Sequence, residues 1–229
     1  MTDDHRPAGP PRDQVLVFVD DLERPELDEA DRRHLERSLR LRTGAAVTVA
    51  DGAGSWRTVR LGPTLEPEGP VEAEARPRPG LVVGFAPVKG DRADLVVQKL
   101  TELGVDEIVP LITERSVVRW DGERAARHRE RHRRIVREAA MQSRNPWPPT
   151  VEAQLPLDQF LAARPGAALA DPDGTAPLER PMAVAIGPEG GFAPGELEGR
   201  TTVRLPGRIL RTETAAIAAA VLLAARRAP

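Results

Sequence analysis

From Leu81 onward the chain alternates short apolar runs with helical patterns, and this alternation restricts the architecture more than any other feature. Residues 81–86, 107–112, 167–170, 182–186 and 201–205 read as strands. Residues 91–103, 123–143, 157–163 and 213–227 read as helices. Strands separated by helices are joined by crossovers, which predicts an α/β domain with a mostly parallel sheet and helices on its faces.

Upstream the texture is different. Residues 1–13 read as a disordered tail, and residues 14–76 as a small β-rich domain. Val15 to Val19, Ala46 to Ala50 and Trp56 to Leu61 are its strands, with the turn Asp51-Gly52-Ala53-Gly54 closing a hairpin between the last two. Ala30, His34, Leu35, Ser38 and Leu39 have helical spacing, so a short helix is expected between the first two strands. The Pro- and Gly-containing stretch from Arg76 to Gly80 is the expected linker, with the second domain over residues 80–229.

Composition excludes several classes of function. The absence of cysteine removes disulfides, thiolate-bound zinc and thiol nucleophiles. No apolar run is long enough to span a bilayer, and the polar start of the chain has no signal-peptide pattern, so the expected compartment is the cytoplasm. The formal net charge is only -2, so nucleic-acid binding does not follow from the total. Local charge is another matter: the stretch from Arg119 to Arg144 carries nine arginines against four acids. Such a surface suits a phosphate backbone, and Arg119, Arg124, Arg127, Arg131 and Arg134, with Lys89, are the candidate RNA contacts. His128 and His132 stand four apart, but no third ligand follows at metal spacing, so no metal is expected and both are read as surface or RNA-contacting.

The helix after Lys89-Gly90 is punctuated by Asp91 as a candidate N-cap and Gly104 as its C′ residue. Lys99 and Glu102 read as an ion pair on its polar side. Near the C-terminus, two glycine-containing turns each follow a strand: Ile186-Gly187-Pro188-Glu189-Gly190-Gly191-Phe192, and Leu205-Pro206-Gly207-Arg208-Ile209-Leu210-Arg211-Thr212-Glu213-Thr214. Glycine lets backbone approach a ligand closely, and the dense charge of the second turn points to a small polar ligand. Thr212 or Thr214 is the expected cap of the last helix, whose core face is expected at Ile217, Val221 and Leu222 or Ala225.

These two turns, with Lys89-Gly90-Asp91, Gln98-Lys99-Leu100-Thr101-Glu102-Leu103-Gly104 and Gln142-Ser143-Arg144, resemble the bacterial 16S rRNA uridine N3-methyltransferase family. The resemblance implies a SPOUT-type α/β domain with a C-terminal trefoil knot, preceded by a PUA-like β-barrel, in a homodimer acting on the 30S subunit. It implies S-adenosylmethionine bound by Leu169, Ile186, Gly187, Pro188, Glu189 and Gly190 and by Leu205, Gly207, Arg208, Ile209, Leu210 and Arg211. Arg211, Arg144 and Glu138 are the catalytic candidates, with Glu189 and Glu213 as other proton acceptors. Two positions depart from the family pattern: Pro206 within the second turn, and Met141 where an acid is common. A related enzyme acting on another RNA, a non-catalytic RNA-binding assembly factor, and a nucleotide-binding protein using Lys89-Gly90 are the alternatives.

Overall fold

The structure, a computed structural model, describes residues 9–177 and 182–227 and divides into two units. The first comprises Met1–Arg76 with Arg137–Pro148, the second Pro77–Val136 with Pro149–Pro229. Residues 1–8 of the expected tail lie outside the described residues; of the remainder, Pro10 is buried.

In the first unit, β1 (Val15–Phe18), β2 (Ala46–Ala50), β3 (Ser55–Arg60) and β4 (Glu66–Ala73) form one sheet in that order. β1 and β2 are parallel, so the segment between them is a crossover. Its helix is split: α1 (Glu29–Arg33), capped by Asp28 accepting from the Asp31 amide at 2.7 Å, runs into a π-helical turn over His34–Ser38. β2 and β3 form the expected hairpin. Asp51 organises its turn by accepting from the amides of Ala53 and Ser55, at 2.7 and 3.0 Å. β4 escaped the sequence reading because all eight of its residues are exposed and it carries two prolines and a glycine, so no apolar alternation marks it. Val17, Leu35, Val47, Val49 and Val59 make the core.

The second unit carries β5 (Val82–Phe85), β6 (Glu107–Ile112), β7 (Thr150–Val151), β8 (Leu155–Pro156), β9 (Ala168–Ala170), β10 (Ala176–Pro177), β11 (Ala183–Ile186) and β12 (Thr202–Arg204). Its helices are α2 (Arg92–Glu102), α3 (Gly122–Ser143), α4 (Leu157–Ala163), α5 (Pro194–Leu197) and α6 (Thr212–Arg227). The last turns of α3, from Arg137, are grouped with the first unit. There Arg137 donates to Asp31 at 2.7 Å and to the carbonyl of Phe18 at 3.1 Å.

The sheet order is β10-β12-β9-β11-β5-β6-β7, with β8 also on β6, and every described pairing is parallel. β7 pairs with Glu107 and Ile108, and β8 with Leu111 and Ile112. The gap between them falls at Val109 and Pro110, where proline has no amide to give a neighbouring strand. Side chains alternate across the sheet. Val83, Ala168, Val184 and Ile186 pack with α2 and α6, whereas Val109, Leu169 and Ala185 pack with α4 around Phe160.

Three sequence expectations need correction. The core face of α6 is Ala215, Ala216, Ala219, Ala220 and Leu223, while Val221 is exposed. Of the expected face, Leu222 packs partly against the core and Ile217 is half-buried, whereas Ala225 is exposed with Val221; the four alanines let the helix approach α2 and the sheet closely, and Leu223 is the large side chain buried with them. Asp91 occupies the N-cap position of α2 but makes no side-chain capping bond. Thr212 is drawn into a bond with the Gly187 carbonyl (3.0 Å) instead of capping α6. Gly104 does adopt the left-handed C′ conformation (φ 71°), and Lys99 meets Glu102 at 2.8 Å.

Candidate functional site

The chain segments leaving β9, β11 and β12, three neighbouring strands, enclose a cavity of about 270 Å³. Ligand sites of parallel sheets lie at these carboxyl ends because the loops there are freed from the ladder. Of the residues expected to hold a cofactor, Ile186, Gly187, Pro188, Glu189 and Gly190 line one side, and Leu205, Arg208, Ile209 and Leu210 the other. Leu169 is instead fully buried in the α4-side core, and its neighbour Ala170 faces the cavity, as strand alternation requires. Gly207 and Arg211 are not on the wall. Gly207, immediately after Pro206, adopts φ 108°, a left-handed backbone open to glycine. Asp171, Pro172, Gly191, Thr212 and Ala215 complete the lining without having been singled out as cofactor residues. Asp171 and Pro172 gave no motif, since their role follows only from β9 lying between β11 and β12.

The first loop is held from several directions. The Gly191 amide donates to the Pro188 carbonyl at 2.8 Å, closing the turn, and Gly191 has φ 68°. A Cβ on Gly187 would sit 3.3 Å from the ring of Phe192, so ring and loop are packed against each other without room for a side chain. Arg115 donates to the Gly190 carbonyl at 2.8 Å, and Thr212 bonds the Gly187 carbonyl, tying the two loops together.

Arg92 is the charged residue that the sequence reading passed over. It donates to Glu189 at 2.6 Å and stands 3.7 Å from Glu213. The bond and charge of Arg92, helped by Arg211, hold the Glu189 carboxyl below its ordinary range. Glu213 keeps one buried carboxylate oxygen without a partner. Glu138 and Arg144 belong to the first unit, where Arg144 adopts φ 56° and donates to the Gln14 carbonyl at 3.0 Å.

A second cleft, of about 420 Å³, lies between the start of α2 and the first half of α3. Lys89, Arg119, Arg124 and Arg131 border it, together with Trp120 and His128. Arg127 and Arg134 do not line it, and Arg127 pairs with Glu123 at 3.3 Å. His132 departs from expectation: it is fully buried, because the ring packs under Trp120 beside Asp94.

Burial, opposed by Asp94, brings the His132 pKa down to about 4. The native protein therefore holds this ring neutral, while the unfolded chain protonates it near pH 6.5. Stability from this source is complete above pH 6.5 and is lost as pH falls toward 4, by on the order of 2–3 kcal/mol. Urea unfolding at pH 7 and pH 5 should show the loss, and His132→Leu should reduce it.

Residues 76–224 match the family model described as an RNA methyltransferase domain, which sets the class of the second unit. The ribosomal RNA small subunit methyltransferase E of Mycobacterium bovis is 30% identical, the match covering 90% of this chain and 89% of that protein. The chain belongs to the small subunit methyltransferase E family. Two solved structures are similar throughout. A Legionella pneumophila protein in complex with the cofactor SAM has TM-score 0.79 and 29% identity, covering 93% of this chain and 97% of that one. The Neisseria gonorrhoeae methyltransferase E bound to S-adenosyl methionine has TM-score 0.76 and 28% identity, covering 92% and 96%.

Proposed function

We propose that the protein transfers a methyl group from S-adenosylmethionine to N3 of a uridine in 16S rRNA. The observation that carries this reading is the cavity at the ends of β9, β11 and β12, in a fold shared with proteins solved with that cofactor. The residues present suit such a molecule. Ile186, Leu205, Ile209, Leu210 and Ala215 offer an apolar slot for an adenine ring, and the glycine-containing loops bring main-chain polar groups within reach of its edge. Arg208 offers a cation for a carboxylate, and Asp171 an acid for an ammonium group.

The cofactor supplies an electrophilic methyl group on a sulfonium. The rest of the work belongs to the chain. Uracil N3 carries a proton and is a poor nucleophile until that proton leaves. We assign its acceptance to Glu138, and stabilisation of the charge that then grows on the flanking carbonyl oxygens to Arg211 and Arg144. Glu189 is ill suited as the base, since its carboxylate is committed to Arg92. Rigid loops serve alignment, because methyl transfer requires the donor, methyl and acceptor in line.

Finer features of the family belong to this proposal. β11 enters between β5 and β9, and β12 returns beyond β9, an order that supports a threaded, knotted C-terminus. The four-stranded sheet with its crossover helix supports a PUA-like RNA-binding barrel over residues 14–76, followed by the methyltransferase domain over residues 80–229. Exposed Ile209 and Val221 are apolar surface that a second copy would cover in a homodimer. No helix among the described residues is long and apolar enough to cross a membrane, which is consistent with work in the cytoplasm on the 30S subunit.

The test is incubation with radiolabelled cofactor and 30S particles or 16S rRNA from a strain lacking the modification, followed by nucleoside analysis. Label should appear in 3-methyluridine. Its absence there, or its appearance only with another RNA, overturns the assignment.

A further inference from the structure

The cleft beside Trp120 is chemically distinct from the cofactor cavity. Its cations are not all engaged. Arg131 pairs with Asp94 and lies 3.4 Å from Asp91, so the acids of the cleft are answered within it. Among the described residues, Lys89, Arg119 and Arg124 have no ion-pair partner, which leaves a net positive rim.

Trp120 is set between two spaces. It borders the larger cleft and also a smaller cavity of about 150 Å³. Its amide is fixed by Gln154 at 2.8 Å, and Gln154 in turn bonds the carbonyls of Leu111 and Val118. One face of the indole is stacked on His128, with centroids 4.2 Å apart and planes 14° from parallel. Burial and the neighbouring Arg124 keep the His128 pKa low, so this stacking partner is a neutral ring at physiological pH.

The smaller cavity has a polar wall that the protein leaves unanswered. His132 is fully buried and lines it, yet neither ring nitrogen has a hydrogen-bond partner. Asp94 stands 3.4 Å from Nε2, an ion-pair distance that does not satisfy the ring as a hydrogen bond. An unpaired buried polar atom has lost its water without gaining a partner, so a group entering with a donor or acceptor would be favoured there.

A flat ring with a polar edge, carrying a phosphate, answers all three features. We propose that one unpaired nucleotide of the RNA substrate is held astride Trp120, its base against the indole with its edge in the smaller cavity toward His132, and its phosphate in the larger cleft on Lys89, Arg119 and Arg124. The proposal rests on the methyltransferase reading for the identity of the polymer. It places a gripping point outside the reaction cavity, which would hold a strand flanking the target. Stacking on an aromatic tolerates any base, so the contact adds affinity more than sequence choice.

The experiment uses the full chain and a fluorescein-labelled ten-nucleotide oligouridine, followed by anisotropy between 50 and 200 mM salt. Trp120→Leu should weaken binding about tenfold. Arg119→Ala with Arg124→Ala should weaken it further and lower the magnitude of the log–log salt slope by about 0.7, the loss of one phosphate contact on a single strand. Both variants should melt within a few degrees of the parent and bind S-adenosylmethionine calorimetrically as the parent does. Parent-like affinity and slope in both variants overturn the proposal. Displacement of the oligonucleotide by micromolar uridine monophosphate also overturns it, by making the cleft a free-nucleotide site. A parent that binds the oligonucleotide with these losses but never binds the cofactor would sink the methyltransferase reading and leave the cleft in place.

Discussion

Ala215→Phe is expected to weaken S-adenosylmethionine binding about a hundredfold, close to 2.8 kcal/mol, and to remove methyl transfer with it. Ala215 is 9% exposed and lies in the first turns of α6, where its side chain forms part of the cavity wall. A phenyl group there must occupy space from a cavity of about 270 Å³, and the helix cannot withdraw. Its amide is bound to the Arg211 carbonyl at 2.8 Å, and its neighbours Ala216, Ala219 and Ala220 are packed tightly into the core. Overpacking costs about 1–3 kcal/mol of stability, so calorimetric titration is to be paired with a thermal melt. Ala225→Phe is the companion: the same substitution on an exposed position of the same helix should leave cofactor binding unchanged. Undiminished affinity in Ala215→Phe would show that the cofactor lies elsewhere.

Gly174→Ala is expected to cost roughly 3 kcal/mol, although a single methyl is added. A Cβ at this position would meet the Val203 carbonyl carbon at 2.6 Å, its oxygen at 2.8 Å and the Arg204 amide nitrogen at 2.9 Å. These are backbone atoms of β12, so no rotamer change relieves the contact. Relief requires β12 or the segment around Gly174 to move, and both reach the cavity: β12 delivers Leu205 and the second loop, and Asp171 and Pro172 lie just before Gly174 on the wall. The variant should therefore lose cofactor affinity as well as stability, with the midpoint of urea unfolding lowered and its slope retained. A midpoint within experimental error of the parent would refute the packing argument.

The two substitutions separate what sequence could and could not foresee. The glycine turn at residues 186–192 was visible because strand, turn and charge follow one another along the chain. So was the hairpin of β2 and β3, where Asp51 and two glycines stand between alternating runs. Gly174 carried no such signal: it matters only because β12, thirty residues later, returns against it. Arg92 was equally silent. Its partners Glu189 and Glu213 are remote in sequence, and the approach of α2 to both loops is a property of the sheet order. Helical spacing from Ile217 through Val221 to Leu222 or Ala225 sets the expected face of α6 on the wrong side of the helix, with only Leu222 packing partly against the core. In a close helix–sheet contact the alanines are buried, since only small side chains permit the approach. The surface alternative for His132 fails for a related reason: four-residue spacing with His128 fixes a shared helical side, but not which of the two a tryptophan covers.

By itself the sequence determined the α/β class, most strand and helix positions and the two loops that form most of the cavity wall. Those properties are local: each depends on side-chain periodicity and on glycine's backbone freedom over a few residues. Only the tertiary structure decided that β9 lies between β11 and β12, that Asp171, Thr212 and Ala215 join the loops in one cavity, and that Trp120 gathers two histidines beside unpaired arginines. Those are matters of strand order and burial, which depend on contacts between distant segments and are written in no single stretch of the chain.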